Sequence, residues 1–179
     1  MNNVMGLFTS LEGRIGRGRW WLGVVILIVA GIIVSIILSM LGFGMSFGAM
    51  MGGTPESIAA AASAGASRAA WGSVISFIIF AYPSYALSIK RRHDRDSNGL
   101  DLQIYYALSF ILLLLQALGV GMSTMDVGNG VVVPTPSMPM AILSIIMLIY
   151  GIYMLVVLGF LRGTAGPNRY GPDPLGAAA

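Results

Sequence analysis

The sequence predicts an all-α fold, a polytopic membrane protein with four transmembrane helices, and three observations predict it. No formal charge appears from Trp20 to Pro55, from Ala69 to Ile89, from Leu102 to Met125 or from Val127 to Leu161. Of the 179 residues, 9% are charged and 56% hydrophobic, with a mean hydropathy of +0.83; soluble domains carry about 25% charged residues. Lys and Arg gather in short segments between the charge-free intervals. A hydrocarbon core about 30 Å thick needs about 20 apolar residues in a helix rising about 1.5 Å per residue, and each interval holds one such run. The length leaves room for a single membrane domain, 1–179, with spans at roughly 20–41, 71–89, 103–120 and 140–161.

Before the first span, Leu7, Phe8, Leu11 and Ile15 fall on one helical stripe, which fits a short interfacial N-terminal helix. Gly13, Gly16 and Gly18 weaken it. The first span runs from Trp20 to Leu41, with Trp20 and Trp21 expected as interfacial anchors. Its apolar run is longer than the about 7–15 residues of a signal h-region and is expected to stay uncleaved.

A Gly- and Met-rich stretch follows, then Thr54-Pro55-Glu56, a helix start: Thr caps, Pro suits the first turn and Glu faces the positive dipole end. From there the Ala-rich segment is expected to run into the second span. Pro83, in Tyr82-Pro83-Ser84-Tyr85, predicts a kink satisfied by Ser84 or a neighbouring helix. After the third span, Gly128-Asn129-Gly130 and three prolines, Pro134, Pro136 and Pro139, predict a turn-containing loop. The fourth span then leads to a tail in which Gly163, Gly166 and Gly171 alternate with Pro167, Pro172 and Pro174, the composition of a rigid irregular turn.

Orientation follows from the basic residues. Arg14, Arg17, Arg19, Lys90, Arg91, Arg92, Arg95, Arg162 and Arg169 fall in segments 1–19, 90–102 and 162–179, against Arg68 alone elsewhere. The positive-inside rule makes those segments and both termini cytoplasmic.

Composition also excludes chemistry. With no Cys there are no disulfides, thiolate metal sites or thiol nucleophiles, and one His93 cannot build a His-rich metal centre. No catalytic residue, metal or cofactor is assigned. The net charge of +3 reads as topology, and no nucleic-acid partner is expected. No Asp, Glu, Lys, Arg or His lies within the spans, which argues against ion coupling.

The candidate site is the basic face itself. Arg14, Arg17, Arg91, Arg92, His93, Asp94, Arg169 and Asp173 either contact an anionic lipid headgroup or bind one another in a structural network. The partners this implies are membrane lipids, a membrane or cytoplasmic protein, or a second copy of the chain.

Three ordered motifs, GRIGRGRWWLG at 13–23, KRRHDRDSNG at 90–99 and GTAGPNRYGPDP at 163–174, resemble the cytoplasmic signatures of the domain-of-unknown-function 805 family of bacterial inner-membrane proteins. The resemblance covers essentially the whole chain. It matches Arg91, His93, Asp94 and Gly99, and departs at Arg92, where the family has Leu, and at Asn98-Gly99-Leu100, where it has Ser-Gly-Trp. It implies a fold and a location, a multi-pass protein of the bacterial inner membrane, and no activity. Three functions stay open: a non-enzymatic scaffold or lipid/protein interaction module, a small-solute channel or transporter, and an enzyme acting on a phosphate-bearing lipid through Arg91, His93 and Asp94, joined by Arg14 or Arg17.

Overall fold

The structure, a computed structural model, describes residues 4–44, 54–126, 128 and 132–176, without the side chains of 55, 56, 59 and 62–64. The Gly- and Met-rich stretch at 45–53 and the Asn129-Gly130 turn lie outside the described residues. The chain is mostly helical, and four helices are long and apolar enough to cross a membrane. In order, α1 is Gly6–Thr9, α2 Arg17–Met40, α3 Pro55–His93, α4 Leu100–Ala117, β1 Met122–Asp126, β2 Val132–Pro136 and α5 Met138–Leu155, the last continuing as a π-helix, Val156–Phe160. Two compact units share these elements. The first comprises Met1–Ala30, Ile78–Ala107 and Leu148–Ala179; the second comprises Gly31–Phe77 and Leu108–Met147.

The spanning helices turn their apolar side chains outward. On α2, Val25, Ile28, Val29, Ile32, Ile33 and Ile36 are each 53–55% exposed, and α5 shows Ile145, Ile146, Leu148, Ile149 and Ile152 in the same way. Such a surface suits hydrocarbon and not water. The chain is a polytopic membrane protein.

Several expectations are corrected. The N-terminal stripe does not make an interfacial helix through Ile15: α1 is four residues long. Leu7 and Ile15 are instead buried in the core of the first unit with Trp20, Leu87, Leu102 and Leu158, while Leu11 stays exposed. Trp20, expected at the interface, is 4% exposed, because its ring packs over Gly159 of the π-helix, where a Cβ would stand 2.9 Å from it. The third span lies on α4, Leu100–Ala117; Asp101 sits in its first turn, where the dipole favours a carboxylate.

The helix ends carry their own signals. Gly42 and Gly119 have φ of +87° and +72°, and in both cases the following residue donates its N–H five residues back, Phe43 to Leu38 at 2.8 Å and Val120 to Leu115 at 2.8 Å. These are Schellman stops after α2 and α4.

Within the second unit, the segment expected as a loop forms an antiparallel hairpin, with Met122 opposite Pro136 and Asp126 opposite Val132. Proline forbids a helix but not a two-stranded ribbon, where each strand keeps one edge that needs no donor. In the same unit Phe77 stacks on Phe110 at 5.5 Å, and an open cavity of about 530 Å³ is lined by Ser35, Leu38, Phe43, Gly72 and Ser76.

As expected, α3 is one helix from Thr54, whose Oγ1 accepts from Ser57 N at 3.4 Å. It continues through Pro83. Ser84 Oγ donates to the Phe80 carbonyl and accepts from Tyr106 at 2.8 Å.

Candidate functional site

Of the ten Lys and Arg residues, nine belong to the first unit and Arg68 to the second. In the first unit the N-terminal segment, the end of α3 and the tail close on one another. Asp94, one residue past α3, is the centre. Its Oδ1 accepts from Arg14 Nε at 3.1 Å and lies 3.0 Å from Arg14 Nη2. Its Oδ2 accepts from Arg91 Nη1. The three side chains are nearly dry, at 1% exposure for Arg14, 0% for Arg91 and 5% for Asp94. Two guanidinium groups against one carboxylate leave an excess positive charge, and backbone carbonyls take it up. Arg14 donates to Thr164 O at 2.8 Å, Gly166 O at 2.8 Å and Gly171 O at 3.2 Å. Arg91 donates to Leu158 O at 2.8 Å and to Leu161 O.

The tail can approach this closely because of its composition. A side chain at Gly163 would overlap the Asp94 carboxylate. Thr164 closes the contact, its N–H and Oγ1 both donating to Asp94 O, at 2.8 and 3.1 Å. Asn168 Nδ2 donates to His93 O at 2.9 Å and to Thr164 Oγ1 at 3.0 Å, and Asn168 pairs with Gly171 across a tight bridge.

The last helix ends under side-chain donors. Helix C-termini leave carbonyls without intrahelical partners, and here consecutive ones are met. Arg91 serves Leu158 and Leu161, Trp21 Nε1 serves Gly159 at 3.2 Å, and Arg17 Nη1 serves Phe160 at 3.1 Å. Lys90 does the same for α1, donating to Gly6 O and, at 2.9 Å, to Leu7 O. Trp21 and Lys90 are participants that sequence reading missed; their acceptors are main-chain atoms, which carry no residue signature.

The remaining sequence candidates separate from this centre. His93 lies flat on Tyr170, centroids 3.9 Å apart and planes 7° apart, and its Nδ1 is 3.3 Å from Gly13 O. A carbonyl only accepts, so Nδ1 carries the proton. His93 and Asp94 therefore do not aim at one atom. Arg92 turns towards α4, with Nη2 2.6 Å from Asp101 Oδ2 and 3.1 Å from Ser97 Oγ. Arg169, 58% exposed, pairs with Asp96 at 3.2 Å and donates to Asp96 O at 2.7 Å. Asp96 holds φ +56°, a left-handed turn that Asp tolerates. Asp173 accepts from Gly166 N at 3.0 Å and Leu175 N at 2.9 Å. These two backbone donors hold its carboxyl below the ordinary range.

A cleft of about 840 Å³ opens between the N-terminal segment and the tail, walled by Arg14, Arg19, Tyr170, Pro172 and Asp173. Among the described residues, no three His, Asp or Glu side chains gather as metal ligands.

This clasp is assembled from the same three motifs that carry the family resemblance. The sequence matches the family described as protein of unknown function (DUF805) over residues 8–172. The chain belongs to this family. No curated protein and no solved structure matches it. In this DUF805 chain the three motifs, distant in sequence, meet at Asp94.

Proposed function

We propose that this protein is a non-enzymatic membrane scaffold, set in the bacterial inner membrane, whose basic face looks into the cytoplasm and engages anionic lipid headgroups or a protein partner. The observation that carries the reading is a division among the cations. Arg14, Lys90 and Arg91 are buried and committed to Asp94 and to main-chain carbonyls. Arg17, Arg162 and Arg169 are exposed around them. The buried set ties three chain segments into a rigid platform, and the exposed set gives that platform a positive rim. Positive charge on this face is also what retention in the cytoplasm requires.

The same geometry weighs against catalysis by the His93–Asp94 couple. Both Asp94 oxygens already accept from guanidinium groups, and His93 is held between Tyr170 and Gly13 O. A general base needs a lone pair within reach of a substrate proton.

Mild detergent extraction followed by native mass spectrometry and copurification tests the proposal. An anionic phospholipid or a stoichiometric protein should remain with the chain. Recovery with neither, together with an unchanged lipid profile in cells lacking the protein, would overturn it.

A further inference from the structure

We propose that Arg17, Arg95 and Arg162 form a binding site for the phosphate of an anionic phospholipid at the end of the last spanning helix. The inference rests on the scaffold reading and gives its lipid partner a place. Arg17 Nη1 donates to Phe160 O at 3.1 Å and Arg95 Nη1 to Arg162 O at 3.2 Å. The backbone of 160–162 thus holds two guanidinium groups and bears a third on Arg162. Arg17 and Arg95 also lie within Coulomb range of the buried Arg91.

Among the described residues, none of the three has a carboxylate within ion-pair distance. The nearby acids are committed: Asp94 to Arg14 and Arg91, Asp96 to Arg169, Asp101 to Arg92. Asp173 acts on Arg162 only through space, its oxygens turned to Gly166 and Leu175 N–H. Each guanidinium has five N–H donors, and the carbonyl tethers use one on Arg17 and one on Arg95. Donors remain on all three, with uncompensated charge, and the tethers fix those of Arg17 and Arg95 in place beside the Arg162 backbone, a combination suited to a phosphate.

The flank selects a lipid over a soluble anion. Phe160 is 58% exposed, Val156 41% and Leu161 39%, at the end of a helix apolar enough to cross a membrane. Guanidinium groups one residue away from such side chains stand where headgroup phosphates lie. An acyl chain would run along the exposed apolar face of α5.

The test titrates purified protein in neutral detergent with short-chain phosphatidylglycerol, phosphatidylcholine or inorganic phosphate, reading bound lipid by native mass spectrometry and the thermal unfolding midpoint. Phosphatidylglycerol should bind and raise the midpoint, and phosphatidylcholine should not. Arg162→Gln disturbs none of the hydrogen bonds given above and should weaken binding roughly fivefold. Replacing Arg17, Arg95 and Arg162 together should weaken it on the order of a hundredfold. If R162Q and the R95Q/R162Q double variant melt like the parent yet bind phosphatidylglycerol equally well, the site is overturned while the scaffold reading stands. Inorganic phosphate competing at equal concentration would make it a soluble-anion site and overturn the lipid assignment. If the parent shows no preference for phosphatidylglycerol, the lipid arm of the scaffold reading falls with it.

Discussion

Replacing Asp94 by Asn would leave Arg14 and Arg91, 1% and 0% exposed, facing an uncharged amide. Breaking a buried ion pair from one side costs about 3–5 kcal/mol, because the remaining charge stays desolvated. The exposed Arg169–Asp96 pair, at 58% and 47% exposure, is worth less than about 1 kcal/mol. Unfolding in mixed micelles should therefore show a large loss for D94N and a small one for R169Q. Comparable losses would mean that Asp94 is not the centre of the clasp. Asp173 predicts a pH effect. Its carboxyl is held below its ordinary 3.8 by the Leu175 and Gly166 N–H groups. A carboxyl lowered on folding stabilises above its unfolded pKa and loses that contribution as pH falls through its folded value. The tail should stay closed from neutrality down to about pH 4 and loosen only below 3.8. Hydrogen exchange at the Gly166 and Leu175 amides, corrected for intrinsic rates, should speed up there, and D173N should abolish the difference. At this scale the sequence showed which residues matter more readily than whom they touch. Arg14, Arg91 and Asp94 stood out by charge, but Arg14 finds Asp94 at a separation of 80 residues and Gly166 at 152. Main-chain acceptors leave no trace in composition.

Among the elements, the π-helix Val156–Phe160 has the tightest dependence on a single position. Gly159 lies under both indoles, and a Cβ there would meet Trp20 and Trp21 carbons at 2.9 Å each. The rings also pack edge to face, 4.9 Å apart, and Trp21 holds the Gly159 carbonyl. Gly159→Ala should force both rings outward at a cost of about 1–3 kcal/mol, with a shift in tryptophan emission. Trp21→Phe should cost about 1 kcal/mol through the lost hydrogen bond. An unchanged emission spectrum in G159A would show that the rings do not rest on this helix. Elements bound by the bilayer were legible because the solvent imposes their length: α2, α3, α4 and α5 each run through one of the charge-free intervals. The hairpin was not, since Pro134 and Pro136 were read as breakers. Proline excludes the helical ladder but leaves an unpaired strand edge available. Trp20 was misplaced for a related reason. An amphipathic ring beside a span reads as an interfacial anchor, and only the tertiary position of Gly159 shows that it is buried.

For the molecule as a whole, the question is which side of the membrane the clasp occupies. Nine of ten basic residues lie in the first unit, and juxtamembrane Lys and Arg resist translocation. A chain that crosses four times returns to the side from which it started, so the N-terminal segment, the 94–99 turn and the tail should share one compartment, the cytoplasm. The packing asks for the same thing independently. Arg14 bonds both Asp94 and Gly166, and these contacts cannot form with a bilayer between the partners. The chain contains no Cys, so single reporters can be introduced on a silent background. Glu12→Cys, Asn98→Cys and Leu175→Cys each replace an exposed side chain of the first unit. In intact cells a membrane-impermeant maleimide should label none of them, and after permeabilisation it should label all three. Labelling of one or two of them, but not all, in intact cells would separate the three motifs across the membrane and contradict both the charge count and the Asp94 contacts. Labelling of all three would preserve the clasp and reverse the orientation, removing the cytoplasmic partner from the proposed function and leaving the lipid contact to the opposite leaflet.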